Sequence, residues 1–304
     1  MDDVSPPGLS PAPHVICREI DPADFNELLS LLQKGFPERS RAHYVRVLDR
    51  LAAHATPPGF PKYGYVLLVD GAIAGVVLTI FSSMMVNGEN RVRINVSSWY
   101  VDPEFRLYAA MMTSRLRSYK QATYLNTTPA PHTWPMLEAL GYRRICNGGF
   151  FALAAFSGPS VAAKVRRVSS TVEPGGGLSP AEAELLRAHA SFGCVSLVCE
   201  WEQRRYPFVF APSRIRWKGL PLPYAMLGYC RDFESYVQLA RPLGRYLLLR
   251  GMPLLFSDAN GPVPGLKGRY VDWGVKFARG PSMPHLGDLS YTERLMFDLD
   301  SPHR

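Results

Sequence analysis

Beyond residue 14 the apolar positions fall into runs of two periods. VICREI (residues 15–20) predicts a short strand. In DPADFNELLSLLQKGF, Leu28, Leu29, Leu31 and Leu32 recur at helical spacing behind acids that suit a helix N-terminus. RSRAHYVRVLDRLAAH (residues 39–54) predicts a second, basic amphipathic helix, ended by ATPPGFP. Two apolar runs then flank Asp70-Gly71, a hairpin signal, because glycine tolerates the positive φ of a tight turn. After the polar turn NGEN (residues 87–90), VRINVSSWYV reads as a strand, followed by a helix to about Gln121. ATYLNTT is a strand, PAPHTWPMLEALGY a short helix and GGFFALAAF a last strand. The order β-α-α-β-β-β-α-β-α-β predicts an α/β fold, a mixed central sheet flanked by helices.

Near residue 157 the pattern lapses. SGPSVAAKVRRVSSTVEPGGGLSP has few large apolar residues and three consecutive glycines, and reads as a linker. Order restarts at SPAEAELLRAHASFG, with Ser179 as N-cap, Pro180 at the first helical position and Glu182 completing a capping box. YPFVFAPSRI and LPYAMLGYC read as strands, RDFESYVQLARPLGRYLLLRG as a helix with an internal Pro242, MPLLFSDANG as a strand and TERLMFDL as a last strand. The expected division is a disordered leader 1–14, a domain 15–156, a linker 157–178 and a second domain 179–304. The halves echo each other: Phe105 and Tyr108 match Phe233 and Tyr236 at an offset of 128 (233 − 105 and 236 − 108), each pair between a strand with an aspartate and an amphipathic helix.

Composition narrows the classes. The 304 residues are 47% hydrophobic and 20% charged, a globular balance large enough for two domains. The formal charge of +8 favours anionic partners such as phosphorylated cofactors, but the cations are dispersed, and no basic run of five predicts a nucleic-acid tail. The five cysteines, Cys17, Cys146, Cys194, Cys199 and Cys230, contain no CxxC pair and read as reduced thiols. The opening MDDVSPPGLSPAPH has no apolar core of a signal peptide, and no apolar run is long enough to span a bilayer, so a cytoplasmic protein is expected. No HExxH, GxSxG, Walker or EF-hand pattern occurs, and no metal is expected.

Two stretches carry a family resemblance. YVDPEFRLYAAMM resembles the strand-to-helix corner of the GNAT acyltransferases, the Gcn5-related N-acetyltransferases, commonly Y-V-x-P-x-x-R-x-x-G-x-G/A. HTWPMLEALGY resembles that family's A-x-x-L-Y-x-x-x-G-F segment, and the duplicated outline resembles its tandem members. The resemblance covers roughly residues 14–155 and implies two GNAT-like domains, the second degenerate, with acetyl-CoA or another acyl-CoA as co-substrate. It implies that the strand edge at Trp99, Tyr100 and Val101 pairs with pantetheine. The turn and helix start at Arg106, Leu107, Tyr108, Ala109 and Ala110 would take the pyrophosphate on backbone N–H groups and the helix dipole, Arg106 adding a guanidinium fork. Ala109 and Met111 stand at the family's two small turn positions, its acid tyrosine falls on Leu137, and its upstream asparagine falls near Ala130. In the second half Glu234 replaces the arginine, so cofactor binding is expected in the first.

The candidate catalytic residues are His132, Ser98 and Tyr108, with Asn126 at the cofactor. Imidazole titrates near neutrality and suits a general base; Ser98 would orient a water or the thioester carbonyl; Tyr108 would be an acid. Each has a plainer reading: a solvated histidine beside Pro131, a structural strand serine, a packing aromatic and a turn asparagine. Cys230 with His189 or His285 has no linking spacing and reads as a buried thiol, SDANG (residues 257–261) as a polar turn and GPVPGLKGRYVDWG as a surface loop. The expected activity is acyl transfer from acyl-CoA to a small-molecule amine, sugar or other hydroxyl acceptor by direct attack. Two alternatives stay open: an aminoacyl-tRNA-dependent transferase, for which tRNA is the one nucleic-acid partner in view, and a non-catalytic binding protein on the same fold.

Overall fold

The computed structural model describes residues 12–86, 88–171 and 176–297. Of the expected leader, residues 1–11 lie outside the described residues, as do position 87 of the polar turn, 172–175 of the expected linker and 298–304 at the end. His14 is anchored, its N–H donating to Asp70 Oδ1 at 2.8 Å.

The first half runs β1 (Val15–Glu19), α1 (Phe25–Gly35), α2 (Arg41–Ala53), β2 (Gly64–Val69), β3 (Ala72–Val86), β4 (Glu89–Val101), α3 (Ala109–Arg117), β5 (Thr123–Asn126), α4 (Trp134–Ala139), β6 (Arg143–Cys146) and β7 (Gly148–Ala152). The second runs β8 (Lys164–Val168), α5 (Pro180–Ser191), β9 (Val195–Trp201), β10 (Arg204–Trp217), β11 (Leu220–Cys230), α6 (Phe233–Gln238), α7 (Ala240–Leu248), β12 (Leu254–Ala259), β13 (Gly268–Val271), β14 (Lys276–Arg279) and α8 (Glu293–Met296).

Local chemistry accounts for many of these boundaries. Ser40 caps α2 and Ser179 caps α5, the latter with the expected Glu182 capping box. Asp70 and Gly71 have φ of 51° and 89°, the left-handed pair that closes the β2–β3 hairpin. The helix expected over 231–251 is two helices. Pro242 has no N–H for the Gln238 carbonyl, and the chain breaks at Leu239, which puts Pro242 in the first turn of α7.

Two seven-stranded mixed sheets result, ordered β1-β2-β3-β4-β5-β14-β6 and β13-β7-β12-β11-β10-β9-β8. In the first, Val66, Val76, Leu78 and Ile80 pack under α1 and α2, and Leu67, Val77, Ile94 and Val96 under α3. In the second, α6 and α7 cover one face and α5 the other.

Several expectations need correction. β7, expected to close the first sheet, pairs with β12 and β13 in the second, and β14 inserts between β5 and β6 of the first. The stretch read as a linker contains β8, which pairs antiparallel with β9; only Val168 of it is buried, so its pattern resembled a loop. β13 lies inside the stretch read as a surface loop, and β6, β9 and β14 were not foreseen. TERLMFDL is a helical turn at Glu293–Met296, with its last two residues outside the described ones. Glu293, Leu295, Met296 and Phe297 are all buried, which fits no alternating strand, because this segment is wedged between the halves. Leu289 and Leu295 join the second half's core, and Met296 and Phe297 join the first's.

The duplication is visible in the ladders. Parallel pairs join Arg93–Asn95 to Thr123–Leu125 and Tyr224–Met226 to Leu254–Phe256, an offset of 131 on both strands (224 − 93 and 254 − 123). The aromatic pair is offset by 128, so the first half's corner holds three extra residues, and there Pro103–Tyr108 forms a 3-10 turn before α3.

Candidate functional site

β4 and β5 part at their C-terminal ends. Their pairing stops at Asn95 and Leu125, yet β4 continues to Val101, so among the described residues no strand covers this edge beyond Asn95. On its other side β4 carries a bulge against β3: Val76 faces Tyr100 and Leu78 faces Ser97, leaving Ser98 and Trp99 opposite Val77 alone. Ser98 sits at φ 44°, a left-handed conformation costing roughly 1–2 kcal/mol for a residue with a Cβ.

The cofactor residues expected from sequence divide by direction. Trp99 and Asn126 line a cleft between α3 and α4 on the open side of the fork. Val101 is buried in the core under α3, against which Tyr108 and Ala109 also pack. The Tyr100 ring turns to the opposite face, against α1, where a Cβ on Gly35 would lie 2.4 Å from it, and its hydroxyl donates to Asp102 at 3.0 Å. Arg106, Leu107 and Ala110 are exposed on the 3-10 turn and the start of α3. Met111 is also exposed at the surface, and Leu137, where the family's tyrosine was expected, is buried against Val275 and Phe277.

The three expected catalytic residues are not brought together. His132 is exposed in a 3-10 turn before α4, Tyr108 packs beside α3, and Ser98 Oγ is 3.4 Å from Ser97 Oγ. No hydrogen bond joins His132, Ser98 and Tyr108 among the described residues.

A cluster that sequence reasoning missed occupies the other face of the fork. Asn95 Nδ2 donates to the Glu293 carboxylate at 3.2 Å and Thr127 Oγ1 at 2.9 Å, and Thr128 Oγ1 donates to the same carboxylate oxygen as Thr127. Glu293 is 3% exposed, while Thr128 beside it is exposed. Asn95 Oδ1 is buried with no hydrogen-bond partner among the described residues. One turn back along β4, Arg93 makes a two-pronged pair with Asp288, at 2.6 and 3.0 Å. Burial alone would raise the Asp288 carboxyl; the Arg93 charge, with hydrogen bonds from Arg93 and Ser290, overrides it and holds the carboxyl at about 2. No local signal foretold this cluster, because Glu293 meets Asn95 across 198 positions.

The second half repeats the fork but fills it. β11–β12 pairing stops at Met226 and Phe256 while β11 continues to Cys230, with a bulge at Gly228. Here the chain's own C-terminal segment takes the edge: Leu289 N–H donates to Gly228 O and Cys230 N–H to Gly287 O, both at 2.8 Å. Burial, with Asp288 and Asp232 adding to it, pushes the Cys230 thiol well up, which does not suit a nucleophile. His189 is engaged elsewhere, its Nδ1 on Leu185 O at 2.8 Å and its Nε2 accepting from Tyr291 N–H at 3.1 Å. All five cysteines are free and buried. Ser257 and Asp258, expected in a polar turn, are buried in β12, where Asp258 accepts from Lys276 Nζ at 2.7 Å. Among the described residues no group of three or more His, Cys, Asp or Glu is placed to hold a metal, and no helix is long and apolar enough to cross a membrane.

No protein-family model matches the chain, and no curated protein matches it in sequence. Solved structures do match in fold. A conserved protein from Enterococcus faecalis, described as a probable N-acyltransferase, superposes with a TM-score of 0.56 over 91% of this chain and 73% of its own, at 13% identity. A Gcn5-related N-acetyltransferase from Anabaena variabilis does so at 0.53 over 88% and 72%, at 10% identity. Another from Kribbella flavida does so at 0.52 over 88% and 71%, at 12% identity. The chain thus has the fold of the GNAT acyltransferases, laid down twice in two mixed sheets.

Proposed function

We propose that the chain is an acyl-CoA acyltransferase whose first half holds the thioester between β4 and β5. One observation carries this reading: the same fork occurs in both halves, open in the first and filled by Gly287–Leu289 in the second. An uncovered strand edge fits an extended, amide-bearing chain such as pantetheine, which can add to it as a strand would. Trp99 and Asn126 flank that chain, and Arg106 with the exposed start of α3 receives the phosphates.

The acceptor amine or hydroxyl attacks the thioester carbonyl carbon, the C–S bond breaks, and CoA leaves with its sulfur protonated. Backbone N–H groups of the strained bulge at Ser98–Trp99 stabilise the oxyanion. Glu293 takes the proton that the acceptor loses and returns it to the sulfur, with Asn95, Thr127 and Thr128 orienting its carboxylate. Calorimetric titration with acetyl-CoA and longer acyl-CoAs tests the reading. Saturable binding of at least one is expected; no binding of any would refute it.

A further inference from the structure

The β10–β11 hairpin runs past both of its neighbours. β9 pairs with β10 only as far as Phe210, and β12 joins β11 only from Tyr224. Beyond those points residues 214–217 and 220–223 pair with each other alone among the described residues. At a rise of about 3.3 Å per residue this ribbon projects roughly 13 Å past its neighbours. Lys218 and Gly219, at φ 49° and 83°, close its turn.

The ribbon has two unlike faces. Ile215 packs on the α5 side of the sheet, against the cluster that includes Tyr224 and Met226. Leu222 lies directly across from Ile215, and Leu220 follows it on the same face. This apolar stripe leads outward from the core until Leu220, at the tip, is 73% exposed. Arg214 and Arg216 flank Ile215, so they stand on the opposite face, both exposed, and Lys218 is exposed in the turn. Among the described residues no acid pairs with any of these three cations.

The first half supplies a comparison. The β3–β4 hairpin has the same register, offset by 131 on both strands (214 − 83 and 220 − 89). It carries Ser83 and Met85 where the second carries Arg214 and Arg216. Where the second has Leu220 and Leu222, it has Glu89 and Arg91, which form an ion pair with each other. The fold itself therefore does not require bare cations and an exposed leucine at such a tip.

An anionic partner answers the cations, and an apolar one answers Leu220. Nucleic acid presents phosphates but keeps its apolar surface in the base stack. An acidic bilayer presents both, phosphates at the headgroups and hydrocarbon just beneath them. We propose that the β10–β11 tip docks on an anionic phospholipid surface, with Leu220 at the acyl boundary and Arg214, Arg216 and Lys218 on lipid phosphates. This is a surface contact of the second half, and it stands independently of the acyl-CoA reading.

The test is sedimentation of the full chain at low salt with vesicles of phosphatidylcholine, alone or with a third of phosphatidylglycerol. Binding to the acidic vesicles is expected to be about tenfold or more tighter than to the neutral ones. Each cation near such a surface strengthens binding about fivefold, so Arg214→Gln, Arg216→Gln and Lys218→Asn together should weaken it by about 100-fold. Asparagine keeps a residue suited to the positive φ of the turn. Leu220→Ser leaves every charge in place and should weaken binding severalfold. A control that removes equal charge at exposed sites elsewhere, Arg117→Gln with Lys120→Gln and Lys164→Gln, should cost less than about tenfold. Equal affinity for the two vesicles, equal losses in the hairpin triple and the control, or an unchanged Leu220→Ser variant would each overturn the proposal. Duplex RNA binding tighter than the acidic vesicles, and lost in the hairpin triple, would overturn it in favour of a nucleic-acid partner.

Discussion

Ser98 at φ 44° and Glu293 at 3% exposure are the two residues that set this fork apart from an ordinary sheet edge. Glu293→Gln keeps the shape and one oxygen to accept from Thr127 and Thr128, but puts an amide NH2 that cannot accept from Asn95 Nδ2 in place of the other oxygen, and loses the basic oxygen. With any amine that the wild type acylates, kcat is expected to fall about 10²–10⁴-fold, while acyl-CoA affinity stays within about twofold. An unchanged kcat would remove Glu293 from the mechanism. Arg106→Glu places an anion where the phosphates are expected, and should weaken acyl-CoA binding by about tenfold or more at low salt. Unchanged affinity would mean that the turn does not hold the pyrophosphate. The two residues differ in how far the sequence exposes them. Arg106 sits in a local pattern, a strand end, a proline and a helix start, so its position follows from a dozen neighbouring residues. Glu293 acquires its partners only when the last described turn of the chain reaches β4, which no local period encodes.

At the scale of elements, residues 286–297 connect the halves. They pair with β11, send Asp288 and Glu293 to β4, and give Tyr291 N–H to the ring of His189. Burial lowers the His189 imidazole from 6.5 to about 4, with its hydrogen bond to Leu185 and the Asp288 charge opposing that shift. The folded-state value lies below the unfolded one, so the unfolded chain takes up the proton first. The stability given by neutral His189 is complete above about pH 6.5 and is lost as the pH falls toward 4, on the order of 3 kcal/mol in all. His54, also lowered by burial, acts in the same direction. Asp288 adds a lower window, its stability present above about 3.8 and lost as the pH falls through about 2. Urea unfolding at pH 7 and pH 5 should show the loss, and His189→Gln should reduce the difference by about 2 kcal/mol. An equal pH dependence in the variant would mean that His189 already titrates normally. The sequence discloses the helices and long hairpins, whose periods and turn residues are local. It conceals this segment, which is buried on all sides and follows neither period.

At the scale of the molecule, the exchange of β7 and β14 makes each sheet depend on the other half. A fragment of residues 15–156 lacks β14, which separates β5 from β6, and lacks the carboxylates on Arg93 and Asn95. It is expected to show no cooperative thermal transition; a sharp transition with native near-ultraviolet dichroism would contradict the interlock. The duplication was legible in the sequence through Phe105, Tyr108, Phe233 and Tyr236. The exchange was not, because four- and five-residue strands such as β14 and β7 look alike whichever sheet they join. The central claim is that one fork is open to acyl-CoA and the other is closed by the chain itself. Amide hydrogen exchange with and without saturating acyl-CoA reads both at once. Protection is expected in Trp99–Ala110 and around Asn126, with none gained in Leu227–Glu234; protection gained at Leu227–Glu234, or none at Trp99–Ala110 under saturation, would contradict the claim.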